Sequence, residues 1–216
     1  MAAVLLCACQ QKPEPAATPA RAAEPAPPPR AADDRPVIAA FGDSLTAGAG
    51  LDPGESYPDV LQQELDSRGY RYRVANFGVS GDTTQDGVAR LPLVIAEKPA
   101  VVVVEFGAND GLRGQPVANS EANLREMIET LQKAGARVVL AGITLPPNYG
   151  PEYIQRFDAM YKDLAAQCRV PLIPFLLAGV AGNARLMQRD GLHPTAEGTR
   201  IVAGTVLQYV EPLLKK

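Results

Sequence analysis

Histidine is almost missing from this chain: among 216 residues only His193 carries an imidazole. Imidazole is the one side chain that ionises near neutrality without help, so any histidine-based proton transfer has to use His193. One histidine and three cysteines also leave no metal set. Only carboxylates remain, and no calcium-loop spacing occurs among them, so neither a metal nor another cofactor is expected. Three cysteines make no disulfide framework. Two of them, Cys7 and Cys9, sit in the first ten residues. The third, Cys168, has no histidine near it in sequence and reads as a buried structural thiol rather than a nucleophile. Aromatic residues make up only 6% of the chain, and the formal net charge is −3 with the lysines and arginines scattered. That excludes a basic stripe or a stacking platform for nucleic acid. The apolar start, residues 1–10, is too short to span a bilayer.

What is present divides into three texts. Residues 1–9 are apolar without a basic n-region, and Leu6-Cys7-Ala8-Cys9 resembles the end of a truncated or atypical bacterial lipoprotein signal. Cys9 is then the candidate lipidated residue, since Cys7 has the wrong residue before it. Residues 10–36 are almost wholly Ala, Pro, Glu, Gln and Arg. Such a segment cannot bury enough apolar surface to order itself, and its prolines make it an extended spacer. A spacer after a lipid anchor suits an enzyme held off a membrane, so the expected location is the bacterial cell envelope, periplasmic or membrane-anchored. Residues 37–216 are long and apolar enough for one well-packed domain.

Within that domain, apolar runs alternate with amphipathic stretches. Strands are expected at residues 37–41, 71–77, 100–106, 137–143 and 170–175. The strand at 100–106, led by the four valines Val101 to Val104, is the clearest of them. Helices are expected at 57–68, from 82 toward Leu91 with Pro92 closing it, and at 120–133, 152–168 and 195–213, with a loop at 111–118. Strands alternating with helices of this length specify a parallel sheet covered on both sides: a three-layer α/β/α sandwich, flavodoxin-like, of about five parallel strands.

The first strand runs into Gly42-Asp43-Ser44-Leu45. A serine just past the carboxyl end of a strand faces the crevice where open α/β sheets bind ligands, although a serine there can equally cap the next helix. The lone histidine stands in Asp190-Gly-Leu-His193-Pro194. Pro194 disfavours a helical backbone at His193, and Asp190 can fold back onto one ring nitrogen, leaving the other for a nucleophile. Asp-x-x-His is weak by itself; with Ser44 it completes a nucleophile, base and orienter. Asp43 reads as structural, holding its turn by side-chain-to-backbone bonds. Gly81 and Asn109, taken alone, are a turn glycine and a cap residue.

Four blocks stand in order: Gly42-Asp43-Ser44-Leu45, Gly78-Val-Ser-Gly81-Asp-Thr-Thr, Gly107-Ala-Asn109-Asp110 and Asp190-Gly-Leu-His193-Pro. Together they resemble the GDSL or SGNH hydrolase superfamily. The stretches around Glu105, Arg90 and Leu145 narrow the likeness to its bacterial thioesterase I / lysophospholipase L1 / arylesterase branch. The resemblance implies catalytic Ser44, His193 and Asp190, and an oxyanion hole of Ser44 N–H, Gly81 N–H and the Asn109 amide. It implies hydrolysis of carboxylic esters and thioesters through an acyl-enzyme, with small acyl esters or lysophospholipids as substrates. The apolar stretches 111–117 and 145–153 are candidates for the acyl-chain groove. Two rival readings are a carbohydrate O-acetylesterase on the same fold and an inert, tethered lipid-binding module.

Overall fold

Six buried residues, Val37–Gly42, form β1, the first strand of the computed structural model, which describes residues 33–216. The signal-like segment with Cys9 and residues 10–32 of the spacer lie outside the described residues. Four more strands follow: β2 (Arg73–Gly78), β3 (Val101–Glu105), β4 (Arg137–Ala141) and β5 (Leu172–Ile173). All pair in parallel, in the order β2-β1-β3-β4-β5. This is the flavodoxin-like order, whose reversal point lies between β1 and β3. β1 and β3 are sealed on both faces, as unbroken apolar runs require, whereas edge strand β2 is half exposed. The register sets Gly42 opposite both Gly78 and Glu105, so three strand ends finish side by side.

The helices are α1 (Ser44–Ala47), α2 (Tyr57–Ser67), α3 (Thr84–Ala96), α4 (Ala108–Leu112), α5 (Val117–Lys133), α6 (Pro151–Cys168) and α7 (Ala196–Val210). α2 packs with α7, while α3 packs on α5 and α5 on α6, so the sheet lies between two helical layers. Capping boxes at Ser56/Asp59 and Thr83/Asp86 start α2 and α3, each satisfying two backbone donors.

Several boundaries differ from the sequence reading. Pro92 does not end α3; the helix runs on to Ala96. Pro92 lies on the exposed face, where water can reach the carbonyl it leaves without a donor, and Leu91 and Val94 continue the buried stripe. The expected fifth strand shrinks to two residues, because Pro171 and Pro174 flank it and neither can donate to a ladder. β4 stops at Ala141 instead of residue 143. The expected loop 111–118 is partly helical: α4 occupies its start, and α5 begins at Val117, directly after Pro116.

Candidate active site

The end of β1 is built for close approach. A Cβ on Gly42 would lie 2.2 Å from Thr46 Oγ1 and 2.6 Å from the Glu105 carbonyl oxygen. One on Gly78 would lie 2.1 Å from the Ala47 nitrogen. Glycine at both positions lets α1 sit directly against β1 and β2. Asp43, not Ser44, is the cap of α1, its Oδ1 accepting the Leu45 N–H at 3.0 Å. The Ser44 hydroxyl is thereby released from capping. Asn76 steadies the turn from β2, donating to Thr46 O and accepting the Gly78 N–H.

That hydroxyl meets the late loop. Ser44 Oγ lies 2.8 Å from His193 Nε2, across 149 positions of sequence, and His193 Nδ1 lies 2.7 Å from Asp190 Oδ2. Asp190 also accepts the backbone N–H groups of Leu192 and His193. Burial pushes the Asp190 carboxyl upward, but the bond from the ring, those two backbone bonds and the charge of His193 outweigh it and hold the group at about 2. Asp190 is therefore an anion throughout the working range, fixing the proton on Nδ1 and leaving Nε2 to accept from Ser44. Gln188, which sequence reasoning did not single out, ties the loops together by donating to both Ala49 O and Pro194 O.

Gly81 follows β2, with φ +89°, and nothing lies within 4 Å of where its Cβ would stand. Neither Ser44 N–H nor Gly81 N–H has an acceptor among the described residues, and both residues line the same cavity. Asn109 Nδ2 donates to Asp82 O at 2.8 Å and to Asp43 Oδ2 at 3.1 Å. Both amide hydrogens are thus engaged at rest, and a third acceptor has to share one of them. The Asp82 loop is itself anchored by Arg90, a residue to which the sequence reading gives no role. Arg90 binds the Asp82 carboxylate at 2.6 Å, donates to Phe77 O and Gly42 O, and lies over the Phe41 and Phe106 rings. One guanidinium thus fixes the ends of β1 and β2 and the loop carrying Gly81.

A cavity of about 720 Å³ opens beside Ser44. Its wall is mostly apolar and includes Leu112, Ile143, Leu145, Phe175, Leu177 and Met187. Of the stretches expected to form an acyl groove, 111–117 supplies only Leu112, and 145–153 supplies Leu145, Pro146 and Pro147. Residues 114–117 and Tyr153 instead line a separate cavity with Glu121, Arg156 and Asp163. Much of the wall comes from the 175–192 region, which periodicity leaves unassigned because it holds turns rather than helix or strand. Cys168 is half-buried at the end of α6, away from this site, and burial pushes its thiol up. Among the described residues no group of His, Cys, Asp or Glu could hold a metal ion, and no helix is long and apolar enough to cross a membrane.

Residues 40–201 match the model of the GDSL-like lipase/acylhydrolase family. The chain belongs to that family. It is 47% identical over 179 residues to "Esterase TesA" of Pseudomonas aeruginosa, covering 82% of this chain and 89% of that one. It is 37% identical over 175 residues to "Thioesterase 1/protease 1/lysophospholipase L1" of Escherichia coli, covering 81% and 83%. The crystal structure of the psychrotrophic esterase EstA from Pseudoalteromonas, inhibited by monoethylphosphonate, superposes with a TM-score of 0.78 at 32% identity, covering 82% of this chain and 97% of that one. The chain is an enzyme of this hydrolase class, acting on ester bonds.

Proposed function

We propose that Ser44 is the nucleophile, His193 its general base and Asp190 the group that orients the imidazole. Ser44 Oγ attacks the acyl carbonyl as its proton passes to His193 Nε2, giving a tetrahedral oxyanion. The oxyanion takes hydrogen bonds from Ser44 N–H, Gly81 N–H and the Asn109 amide. His193 then returns the proton to the departing alcohol or thiol, leaving an acyl-serine. A water, deprotonated by His193, attacks that acyl group; the bond to Ser44 Oγ breaks, His193 returns the proton to Oγ, and the acid is released. The observation that carries this reading is the unbroken chain from Ser44 Oγ to Nε2 at 2.8 Å and from Nδ1 to Asp190 at 2.7 Å.

The substrates proposed are acyl esters and thioesters with one apolar chain, lysophospholipids among them. Support comes from the cavity, whose volume falls within the roughly 300–1,000 Å³ usual for ligand sites and whose wall is chiefly aliphatic. A sugar O-acetylesterase would need polar groups there to receive the hydroxyls its substrate gives up to burial. We further propose that the enzyme works in the bacterial cell envelope, held by a lipid on Cys9, as the lipobox-like Leu6-Cys7-Ala8-Cys9 and the spacer behind it suggest. Radiolabelled palmitate entering the protein, and failing to enter Cys9→Ser, tests that placement.

The catalytic reading is tested with p-nitrophenyl butyrate on residues 36–216, beside Ser44→Ala and His193→Ala. Both variants should lose turnover and labelling by a fluorophosphonate. Undiminished turnover in Ser44→Ala would put the chemistry elsewhere, and a folded, unlabelled parent would favour an inert binding module.

A further inference from the structure

Beneath the nucleophile turn lies a pair of carboxyls that the reaction does not use directly. Asp43 and Glu105 are both sealed from solvent and adjoin each other, the Asp43 backbone N–H reaching Glu105 Oε2. Glu105 Oε2 accepts from Thr46 Oγ1 at 2.8 Å and from the Asp43 N–H at 3.3 Å, while Oε1 has no hydrogen-bond partner among the described residues. Asp43 is better supplied: Oδ1 holds Leu45 N–H and Oδ2 holds the Asn109 amide. No Lys or Arg makes an ion pair with either group among the described residues.

We infer that Glu105 is held as a neutral carboxylic acid whose proton is shared with Asp43, and that through Asp43 it positions both the Ser44 turn and the Asn109 amide. Two adjacent buried anions with no cation would cost far more than one, and a single proton between them removes the second charge. The distribution of donors decides which carboxyl keeps it. Asp43 has two N–H donors to support an anion, whereas Glu105 has an oxygen with none. The same ordering follows from electrostatics. Burial first, and then the charge of Asp43, raises the Glu105 carboxyl well above its usual range. Asp43 is raised by burial only to about 6, because Leu45 N–H, Glu105, the His193 charge and Asn109 all pull it down. The other ionisable groups facing the pair stay neutral: Tyr57 on α2 and Tyr161 on α6 are both pushed upward, chiefly by burial.

The consequence concerns Asn109, whose two amide hydrogens are both engaged at rest. An Asp43 that shares a proton with Glu105 is a weaker acceptor than a bare carboxylate, so it holds Asn109 in place yet lets the amide share a hydrogen with the developing oxyanion. Glu105 touches no substrate; it is a positioning residue. This inference rests on the reading of Asn109 as an oxyanion donor.

Infrared difference spectroscopy on the full chain at pH 7, wild type against Glu105→Gln, tests the protonation directly. The expected spectrum has the C=O stretch of a protonated carboxylic acid, sensitive to D₂O and lost in the variant. No such band would overturn the inference. Kinetics on p-nitrophenyl butyrate test the positioning. Glu105→Gln keeps a neutral group that donates to Asp43 and should hold kcat within about threefold. Glu105→Leu should lower kcat on the order of 10²-fold at nearly constant KM, the scale of a small misplacement at a reacting centre. Equal losses in the two variants would refute it, as would a full-activity Leu variant. If Glu105→Leu does not fold, the band and the Gln variant still decide. The band is read without turnover, so a failure of the Ser44 mechanism and a failure of this inference fall in different experiments.

Discussion

Asn109→Ala separates the oxyanion role proposed for this residue from the structural bonds it makes. As an oxyanion donor, its loss should cost about 2.7–4 kcal/mol of transition-state stabilisation, a fall in kcat of roughly 10²–10³. KM should change little, because the ground-state carbonyl carries little of the charge that the amide receives. As a structural donor, Asn109 gives one bond to the buried Asp43 carboxylate and one to Asp82 O. Removing a donor from a buried charged acceptor costs about 1.5–3 kcal/mol of folding stability. The pH dependence fixes the sign. Asp43 is raised from 3.8 to about 6, so its contribution to stability is full below the unfolded value and is lost as pH rises through about 6. Without Asn109, one of the bonds that favours the anion is gone, and the penalty for ionising Asp43 grows. The variant should therefore be only slightly destabilised at pH 4 and clearly destabilised at pH 8. Urea unfolding at both pH values reads the structural part; kcat on p-nitrophenyl butyrate and the rate of fluorophosphonate labelling read the catalytic part. A normal kcat would remove Asn109 from the oxyanion hole, and a stability loss independent of pH would show that its bond to Asp43 carries no weight.

Gly42→Ala should be unable to keep the β1 end as it is, because the Glu105 carbonyl 2.6 Å from the new Cβ belongs to a paired strand and cannot turn aside. A loss of about 1–3 kcal/mol in urea unfolding is expected, with kcat falling as the Ser44 turn shifts. Stability unchanged by Gly42→Ala would mean that the close approach is slack. Asp190→Asn should lower kcat by up to about 10⁴ by favouring the wrong imidazole tautomer, with KM little changed. Since Asp190 is held at about 2, its own titration should leave no step in the kcat profile above pH 3; such a step that vanishes in Asp190→Asn would contradict this. Ala181→Phe places a ring in the wall of the cavity and should lower kcat/KM for p-nitrophenyl decanoate, relative to the butyrate, by about tenfold or more. An unaltered chain-length profile would place the acyl chain elsewhere.

The strand-and-helix alternation is legible because this sheet is parallel and covered: β1 and β3 have to be apolar throughout, and the intervening helices have to show a stripe. Legibility fails where a local rule meets its exception. Pro92 reads as a stop because proline usually is one, yet an exposed position lets the freed carbonyl be hydrated and the helix continue. Residues 170–175 read as a strand because they are apolar, but two prolines leave only Leu172 and Ile173 able to pair. The cavity wall from 175 to 192 has no period at all, since turns bury residues by position and not by repeat.

The proposed triad of Ser44, Asp190 and His193 is legible for a different reason, namely that such chemistry demands particular residue types and the chain holds just one histidine. The groups that hold them in place carry no such demand. Arg90 is an ordinary helix residue in sequence; only the fold sets it over two aromatic rings with three strand and loop ends within reach. Glu105 does leave a trace, as the one charged residue in a run of Val101 to Phe106 that is otherwise wholly apolar. A carboxyl in a strand buried on both faces has to be neutralised or paired, and no lysine or arginine in the neighbouring strands can be assigned to it by pattern. Its partner, Asp43, lies 62 residues earlier and is adjacent only because β1 and β3 pair in this register. Candidate reacting groups are thus found by composition and supporting groups by topology, which is why a sequence can disclose a proposed nucleophile while concealing the carboxyl beneath it.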